Sequence, residues 1–316
     1  MKPPRIVILG AGIAGLAASH VLKRKGLHPL LLEQGHPGGE FLAGGPRVLR
    51  DTKSMRCFLA DLNLPHSKFT TRQGMLLRGR VEPFPRCLKN RLDARRVHAD
   101  YWTKSRRVLP DDPTARYLTG ARNPRKGFLR CDLEELVAKL ASRARIQTVR
   151  VLGIERNHIE TSGGRVPFEL ALCTLPLWEL TGKTWFGLPS GVAVKLCATY
   201  VIPFHDRFAR WDTVLAPYTP AACVHRMLSF EDGWVVEAAG EPSLADLESD
   251  LHWIFPEGYF VQWQRRGLKG ALLPLGEDAA WPPNVRPLGR FAQWDSEVTV
   301  AEVVERVEGE VAYAHP

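Results

Sequence analysis

Apolar positions along the chain recur first at strand spacing and then at helical spacing, and the change of period marks the first elements. "RIVIL" (Arg5–Leu9) is a short β-branched run suited to a parallel strand covered on both faces. From Ile13 to Lys25 the apolar residues Ile13, Leu16, Ala17 and Val21 fall on one helical stripe, and Gly26 follows as a C-cap. "LHPLLLE" then predicts a second strand that closes on Glu33. Farther on, "GFLRCDLEELVAKLA" (Gly127–Ala141) predicts an amphipathic helix carrying Leu133, Leu136, Val137 and Leu140. Alternation at Val192, Val194, Leu196 and Ala198 predicts a strand-rich segment in the second half.

The turn between the first strand and helix holds Gly10, Gly12 and Gly15 in the spacing G-x-G-x-x-G, with Ile13 and Ala14 between them. The first glycine permits the tight turn, the second lets backbone approach a pyrophosphate, and the third allows close helix-to-strand packing. Glu33 follows about twenty residues later, where an acid accepts hydrogen bonds from a ribose 2′-OH and repels a 2′-phosphate. In this context the motif predicts a bound dinucleotide. The next stretch, "GHPGGEFLAGGPRV" (Gly35–Val48), carries the pairs Gly38-Gly39 and Gly44-Gly45 where a nicotinamide domain would run on into another βαβ unit. Its backbone can lie flat against a large flat ligand.

These residues resemble the FAD-binding amine oxidase superfamily, which includes monoamine and polyamine oxidases, protoporphyrinogen oxidases and UDP-galactopyranose mutases. The resemblance implies an α/β fold: a Rossmann-like (GR2-type) FAD-binding domain with an interleaved α+β substrate domain. The FAD-binding domain is expected in pieces over 1–65, 127–186 and 286–316, and the substrate domain over 66–126 and 187–285. Gly127–Ala141 is similar to the segment that re-enters the FAD domain, and Ile146–Leu177 to the strand, hairpin and return strand that follow. The same resemblance places Val149–Val151 by the adenine, and Thr174 of "CTLP" (Cys173–Pro176) over the cofactor. It adds Gln34 beside the acid, and Gly289, Arg290 and Trp294 of "LGRFAQWDSEVTVAEVVERV" (Leu288–Val307) along the flavin. "LHWIFPEGYFVQ" (Leu251–Gln262) is similar to a strand pair of the substrate domain, and the piece 66–126 is expected to be helical and basic.

"LPSGVAVKLCATYVIPF" (Leu188–Phe204) is similar to the strand that carries the lysine near the flavin in amine oxidases. Lys195 is therefore the candidate catalytic residue, holding a water against flavin N5 and favouring negative charge there; burial would lower its pKa. A solvated strand lysine is the alternative. Arg290 has three readings: a charge against the flavin N1–C2=O edge, a grip on the diphosphate, or a surface ion pair. No cysteine stands where monoamine oxidases attach the flavin near the C-terminus, so non-covalent FAD is expected. Metal ligands are not expected: the ten histidines are scattered and no H-E-x-x-H occurs.

The chain of 316 residues has 45% hydrophobic and 24% charged residues, those of an ordinary globular protein, and no apolar run long enough for a membrane helix. The first strand at Arg5 leaves no room for a secretory signal ahead of it, and six dispersed cysteines without a C-x-x-C pair suit a reducing compartment. Both point to a cytoplasmic protein. The net charge of +9 is concentrated: residues 46–130 hold 21 Lys/Arg against 7 Asp/Glu. "CLKNRLDARR" (Cys87–Arg96), "KSRR" (Lys104–Arg107) and "ARNPRK" (Ala121–Lys126) belong to this block. It is either a solubilising surface or a surface for a polyanion.

The resulting expectation is an FAD-dependent amine oxidoreductase acting on a small-molecule amine, or on an amine carried by a polyanion such as a modified nucleotide or nucleic-acid base. Two alternatives stand beside it: a sugar-nucleotide mutase, and a non-catalytic flavoprotein that binds nucleic acid. Oligomeric state does not follow from the residues.

Overall fold

The computed structural model describes residues 5–39, 49–70, 72–77, 79–83, 127–175, 195–203, 208–216, 219–221, 223–230, 233–239, 242–255, 264–271, 281, 283–289, 292 and 299–314. The chain divides into two compact units, one of residues 1–69, 126–193 and 274–316, the other of residues 70–125 and 194–273. Each unit is thus assembled from separated stretches of sequence.

The first part of the chain runs β1 (Ile6–Leu9), α1 (Ile13–Arg24), β2 (Leu30–Glu33), β3 (Leu49–Arg50), α2 (Lys53–Asp61), β4 (His66–Phe69), β5 (Gln73–Leu77) and β6 (Arg80–Pro83). The middle adds β7 (Phe128–Cys131), α3 (Leu133–Arg143), β8 (Arg145–Thr148), β9 (Val151–Ile154), β10 (His158–Thr161), β11 (Gly164–Pro167) and β12 (Leu170–Cys173). There follow β13 (Lys195–Pro203), β14 (Thr213–Leu215), β15 (Val224–Phe230), β16 (Gly233–Ala239), α4 (Leu244–Ile254), β17 (Gln264–Ala271), β18 (Val285–Pro287) and α5 (Val300–Ala314).

The first unit centres on a five-stranded sheet in the order β18-β12-β1-β2-β8, all of its pairs parallel. Its inner strands are apolar on both faces: Ile6 to Leu9, Leu31 and Leu32 are all buried, as a parallel sheet requires. Helix α1 packs against α3 and α5, and one apolar core joins Leu16, Val21 and Leu22 of α1 to Leu136 and Leu140 of α3 and Val304 of α5. Helix ends are set locally. Gly26, at φ +78, closes α1 in a Schellman motif, its N–H bonding to Lys23 O and that of Leu27 to Leu22 O. Asp132 caps α3 by accepting from the Glu135 N–H at 2.9 Å. At α5, the Glu302 carboxylate accepts from the Thr299 N–H at 3.0 Å and from its hydroxyl, and Arg50 pairs with the same glutamate.

The second unit holds a seven-stranded sheet in the order β17-β13-β16-β15-β14-β5-β6. Helix α4 packs on β15, and its Leu247, Leu251 and Ile254 meet Trp234, Val236, Met227, Phe208 and Phe255 in a second core. Phe208 stands edge-on to Trp234 and Phe255, with centroids 6.0 Å and 5.0 Å away.

The parallel sheet and Rossmann-like turn agree with the expected α/β class. Two local expectations are corrected. Leu251–Ile254 is the last turn of α4 and not part of a strand pair. Ser243 caps the helix, and Leu247, Leu251 and Ile254 recur at helical spacing, so the window beginning at Leu251 entered the helix near its end. The segment opening at residue 66 is also strand over His66–Phe69, Gln73–Leu77 and Arg80–Pro83, where helix was expected. Most of the basic block, including 84–126, lies outside the described residues.

Candidate functional site: a glycine-lined turn at the end of the parallel sheet

The turn between β1 and α1 is fixed by its own backbone. Gly10 leaves the strand at φ +95 and donates to the Leu32 carbonyl at 2.8 Å. A Cβ on Gly10 would lie 2.7 Å from Thr174 Oγ1, and one on Gly15 only 2.0 Å from the Gly10 carbonyl oxygen. The protein itself needs both glycines. Gly12 is of another kind. It has an ordinary φ of −65, and no atom of the described residues lies within 4 Å of where its Cβ would be. Nothing among the described residues demands glycine there, whereas a ligand approaching the backbone would. Gly12 caps α1 without a side-chain hydrogen bond, and the first turn, which includes Ile13, Ala14 and Gly15, contains no acid. The positive end of the helix dipole is thus left for an anionic group.

Glu33 closes β2 beside this turn. Its Oε2 accepts the Ala11 N–H at 2.6 Å and its Oε1 the Gly35 N–H at 2.8 Å. Each oxygen has a second lone pair with which it can accept a ribose hydroxyl. Gln34 follows, exposed. The loop then returns to the turn: the Gly38 N–H donates to Ala11 O at 2.8 Å, and Gly12 and Gly38 form a parallel bridge. Gly38 and Gly39 sit at φ +93 and +48, and a Cβ on Gly39 would meet none of the described residues within 4 Å. Thr174 completes the back of the turn, its hydroxyl and N–H both donating to Leu9 O, at 2.7 Å and 2.9 Å. Before it, burial pushes the Cys173 thiol up to about 12, so this sulfur stays protonated.

Two further predicted residues reach the same place from distant sequence. Gly289, at φ +84, lies against α1, where a Cβ would stand 2.9 Å from that of Ala14. The Val149 N–H donates to Glu33 O at 2.8 Å, which draws the stretch leading to Val151 alongside the acid. Gly44, Gly45, Arg290 and Trp294 lie outside the described residues. Lys195 belongs to the second unit, where it opens β13 opposite Ala271 of β17. Between Lys195 and Cys197 the partner changes from Ala271 to Leu268, so β17 carries an extra residue there, a bulge of the kind found near binding sites.

Sequence reasoning missed two buried ionic groups of the second unit. Asp250 of α4 is fully buried and accepts from Thr219 Oγ1, the Cys223 thiol and the N–H groups of Ala221, Cys223 and Val224, at 2.7–3.0 Å. Burial pushes its pKa up, but the hydrogen bonds from Cys223, Val224, Thr219 and Ala221 outweigh that and hold it below the usual carboxylate range. An acid on the apolar stripe between Leu247 and Ile254 was the available signal. The other is Glu237 of β16, buried and gripped by Arg226 of β15 through Nε and Nη2, both at 2.7 Å. Among the described residues one group could ligate a metal, Glu155, His158 and Glu160, with ligand atoms within 4.8 Å of one another. Each acid has a neighbour within the hairpin: His158 Nε2 lies 3.0 Å from a Glu155 carboxylate oxygen, and Arg165 lies 3.5 Å from Glu160.

A family model described as an NAD(P)-binding Rossmann-like domain matches residues 8–44, the turn and the returning loop. No curated protein matches the chain by sequence. Among solved structures, reduced UDP-galactopyranose mutase is 14% identical, with a TM-score of 0.69 over 100% of this chain and 95% of that one. A double mutant of putrescine oxidase, from a redesign of cofactor binding, is 13% identical with a TM-score of 0.60, over 98% and 99% of the two chains. L-proline dehydrogenase from P. horikoshii is 12% identical with a TM-score of 0.59, over 99% and 94%. At these identities the likeness is one of fold, and it extends over essentially the whole chain. It is the fold that the sequence resemblance implied.

Proposed function

We propose that a chain with this fold is an FAD-dependent amine oxidoreductase. The observation carrying the proposal is the space beside Gly12 and Gly39 that no described residue fills, bordered by a carboxylate and an uncapped helix end. Those residues fit an adenine dinucleotide: Glu33 for the ribose, the Gly12–Gly15 backbone for the pyrophosphate, Val149–Val151 beside the adenine. Gln34, Gly38, Gly39, Gly44, Gly45, Thr174, Gly289, Arg290 and Trp294 are proposed to hold the remainder. The acid at Glu33 disfavours a 2′-phosphate. FAD, when bound, supplies the two-electron acceptor for a C–H bond.

The chain's own part in the reaction is to hold the amine, exclude water and handle a proton. Lys195 is proposed to hold a water and, as the neutral amine, to accept the proton that the substrate amine gives up, the ammonium so formed stabilising the negative charge that develops. The imine so formed hydrolyses in water. The substrate class is a small-molecule amine. A finer version, an amine on an anionic carrier such as a modified nucleotide or nucleic-acid base, rests on the cationic block 46–130.

The test is anaerobic mixing of flavin-loaded protein with small amines while the visible flavin band is followed. Bleaching is expected, slowed about 10²- to 10⁴-fold in Lys195→Met at unchanged flavin content. Equal rates in the two proteins would remove Lys195 from the mechanism. The likeness to UDP-galactopyranose mutase supports a second reading, a sugar-nucleotide mutase. That enzyme would show no amine-dependent bleaching and would act only after the flavin had been reduced.

A further inference from the structure

Strands β9, β10 and β11 carry a cluster of side chains that the flavin reading leaves unused. Glu155 and His158 flank the turn Arg156–Asn157, joined by a hydrogen bond from the Glu155 N–H to the His158 carbonyl at 2.8 Å. Glu160 lies two residues beyond His158 on β10, so its side chain and the imidazole leave the strand on one face, while Ile159 between them is buried on the other. Across the sheet His158 pairs with Pro167, and Glu160 pairs with Gly153 and Arg165. Pro167 and Gly153 bring no polar side chain to that face. The donor atoms of Glu155, His158 and Glu160 all lie within 4.8 Å of one another.

The imidazole is set for a ligand. Its Nδ1–H donates to Asn157 Oδ1 at 3.2 Å, which leaves the lone pair of the uncharged ring on Nε2. That nitrogen is buried and makes no hydrogen bond, although a Glu155 carboxylate oxygen lies 3.0 Å away. Two lone pairs at this separation repel each other, whereas an ion bonded to both at about 2.1 Å would meet them at roughly 90°. The second carboxylate adds to the repulsion. Arg165 answers only Glu160, at 3.5 Å and with its own side chain 71% exposed, where water screens it. One imidazole nitrogen with two carboxylate oxygens suits zinc and its transition-metal neighbours, whereas magnesium and calcium take oxygen ligands.

We infer that Glu155, His158 and Glu160 bind a divalent transition-metal ion of the zinc type, with Asn157 orienting the imidazole through Nδ1. Three protein ligands leave a position for water. The ion ties the end of β9 to β10, and it does so whether or not the protein takes up a flavin.

The experiment is isothermal titration calorimetry of the full-length protein, chelator-stripped, kept reduced and free of any polyhistidine tag, with zinc chloride and with magnesium chloride. One zinc per chain should bind with a Kd of about 10 μM or tighter, and magnesium at least about 100-fold more weakly. Cobalt(II) in place of zinc should give weak visible bands without thiolate charge-transfer absorption, because no cysteine takes part. Glu155→Gln/His158→Gln/Glu160→Gln should lose this binding, and Asn157→Ala should weaken it about 10- to 100-fold at unchanged stoichiometry. Melting temperatures of the metal-free proteins establish that the variants fold. Glu160→Gln alone, at the most exposed of the three ligands, is the milder variant and should bind zinc at least about tenfold more weakly. Zinc binding weaker than about 10 μM, or magnesium binding as tight as zinc, would overturn the inference. So would thiolate bands with cobalt, or undiminished affinity in a folded triple variant or in Glu160→Gln, either of which places the ion on other residues.

Discussion

Gly12→Ala and Gly15→Ala change the same atom three residues apart, and the structure predicts opposite consequences for fold and ligand. At Gly15 the added Cβ would lie 2.0 Å from the Gly10 carbonyl oxygen and 3.2 Å from Thr174 Oγ1, so backbone must move. Overpacking of this kind costs about 1–3 kcal/mol. For a protein of this size that is a fall of roughly 2–5 °C in Tm. At Gly12 the added Cβ meets no atom of the described residues within 4 Å and φ is −65, so the folding cost is that of alanine against glycine at an N-cap, about 1 kcal/mol or less. If a pyrophosphate lies against that backbone, however, the same methyl group overlaps it, and a similar 1–3 kcal/mol falls on the complex. The expected loss of FAD affinity is about 10- to 100-fold. Far-UV circular dichroism melts of the FAD-free proteins measure the first quantity, and quenching of flavin fluorescence on titration measures the second. Gly12→Ala binding FAD as tightly as the wild type would refute the assignment of that space to a ligand.

Other substitutions probe the remaining parts. Asp250→Asn keeps the shape but sets an amide N–H₂ among five donors, and thermal melts should show a loss of about 2–4 kcal/mol; a change under about 0.5 kcal/mol would mean the bonds found here contribute little. Glu33→Ala removes the bonds to the Ala11 and Gly35 N–H groups together with the ribose acceptor, so FAD affinity should fall at least about tenfold, and unchanged affinity would exclude Glu33 from the site. His20 is lowered in pKa by burial, then by Arg143, with Asp61 opposing and Arg24 and Lys23 adding; its Nε2 is buried with no partner among the described residues. Both His20 and Asp250 are lowered on folding, so each contributes stability that is complete above its unfolded pKa, about 6.5 and 3.9, and is lost as pH falls through the folded value. Tm should therefore decline below pH 6.5 and again below about pH 4, His20→Leu removing the first decline; a flat profile in the wild type contradicts this.

What could be read in the sequence was what short-range physics dictates. The change from strand to helical period places β1, α1 and β2 within three residues, because the Gly26 Schellman motif and the Gly10 turn are local devices. Leu133, Leu136, Val137 and Leu140 are the buried face of α3, as their spacing indicated. The approach of Thr174 and Gly289 to the turn could be reached only through resemblance, since 164 residues separate Thr174 from Gly10 and no local pattern ties them. Asp250 and the Arg226–Glu237 pair were illegible for a related reason. A charge on an apolar stripe counts against burial unless its partners are known, and those partners come from other strands and loops. The strand expected at Leu251 failed because aromatic residues at the end of a helix carry the same composition as a strand.

The measurement that tests the account most directly is the uptake of FAD by the purified protein freed of small molecules, read by the visible flavin spectrum and by mass spectrometry of what acid denaturation releases. One intact, non-covalently held FAD per chain is the predicted result. A protein that stays colourless after incubation with FAD, or that binds NAD in its place, would contradict it.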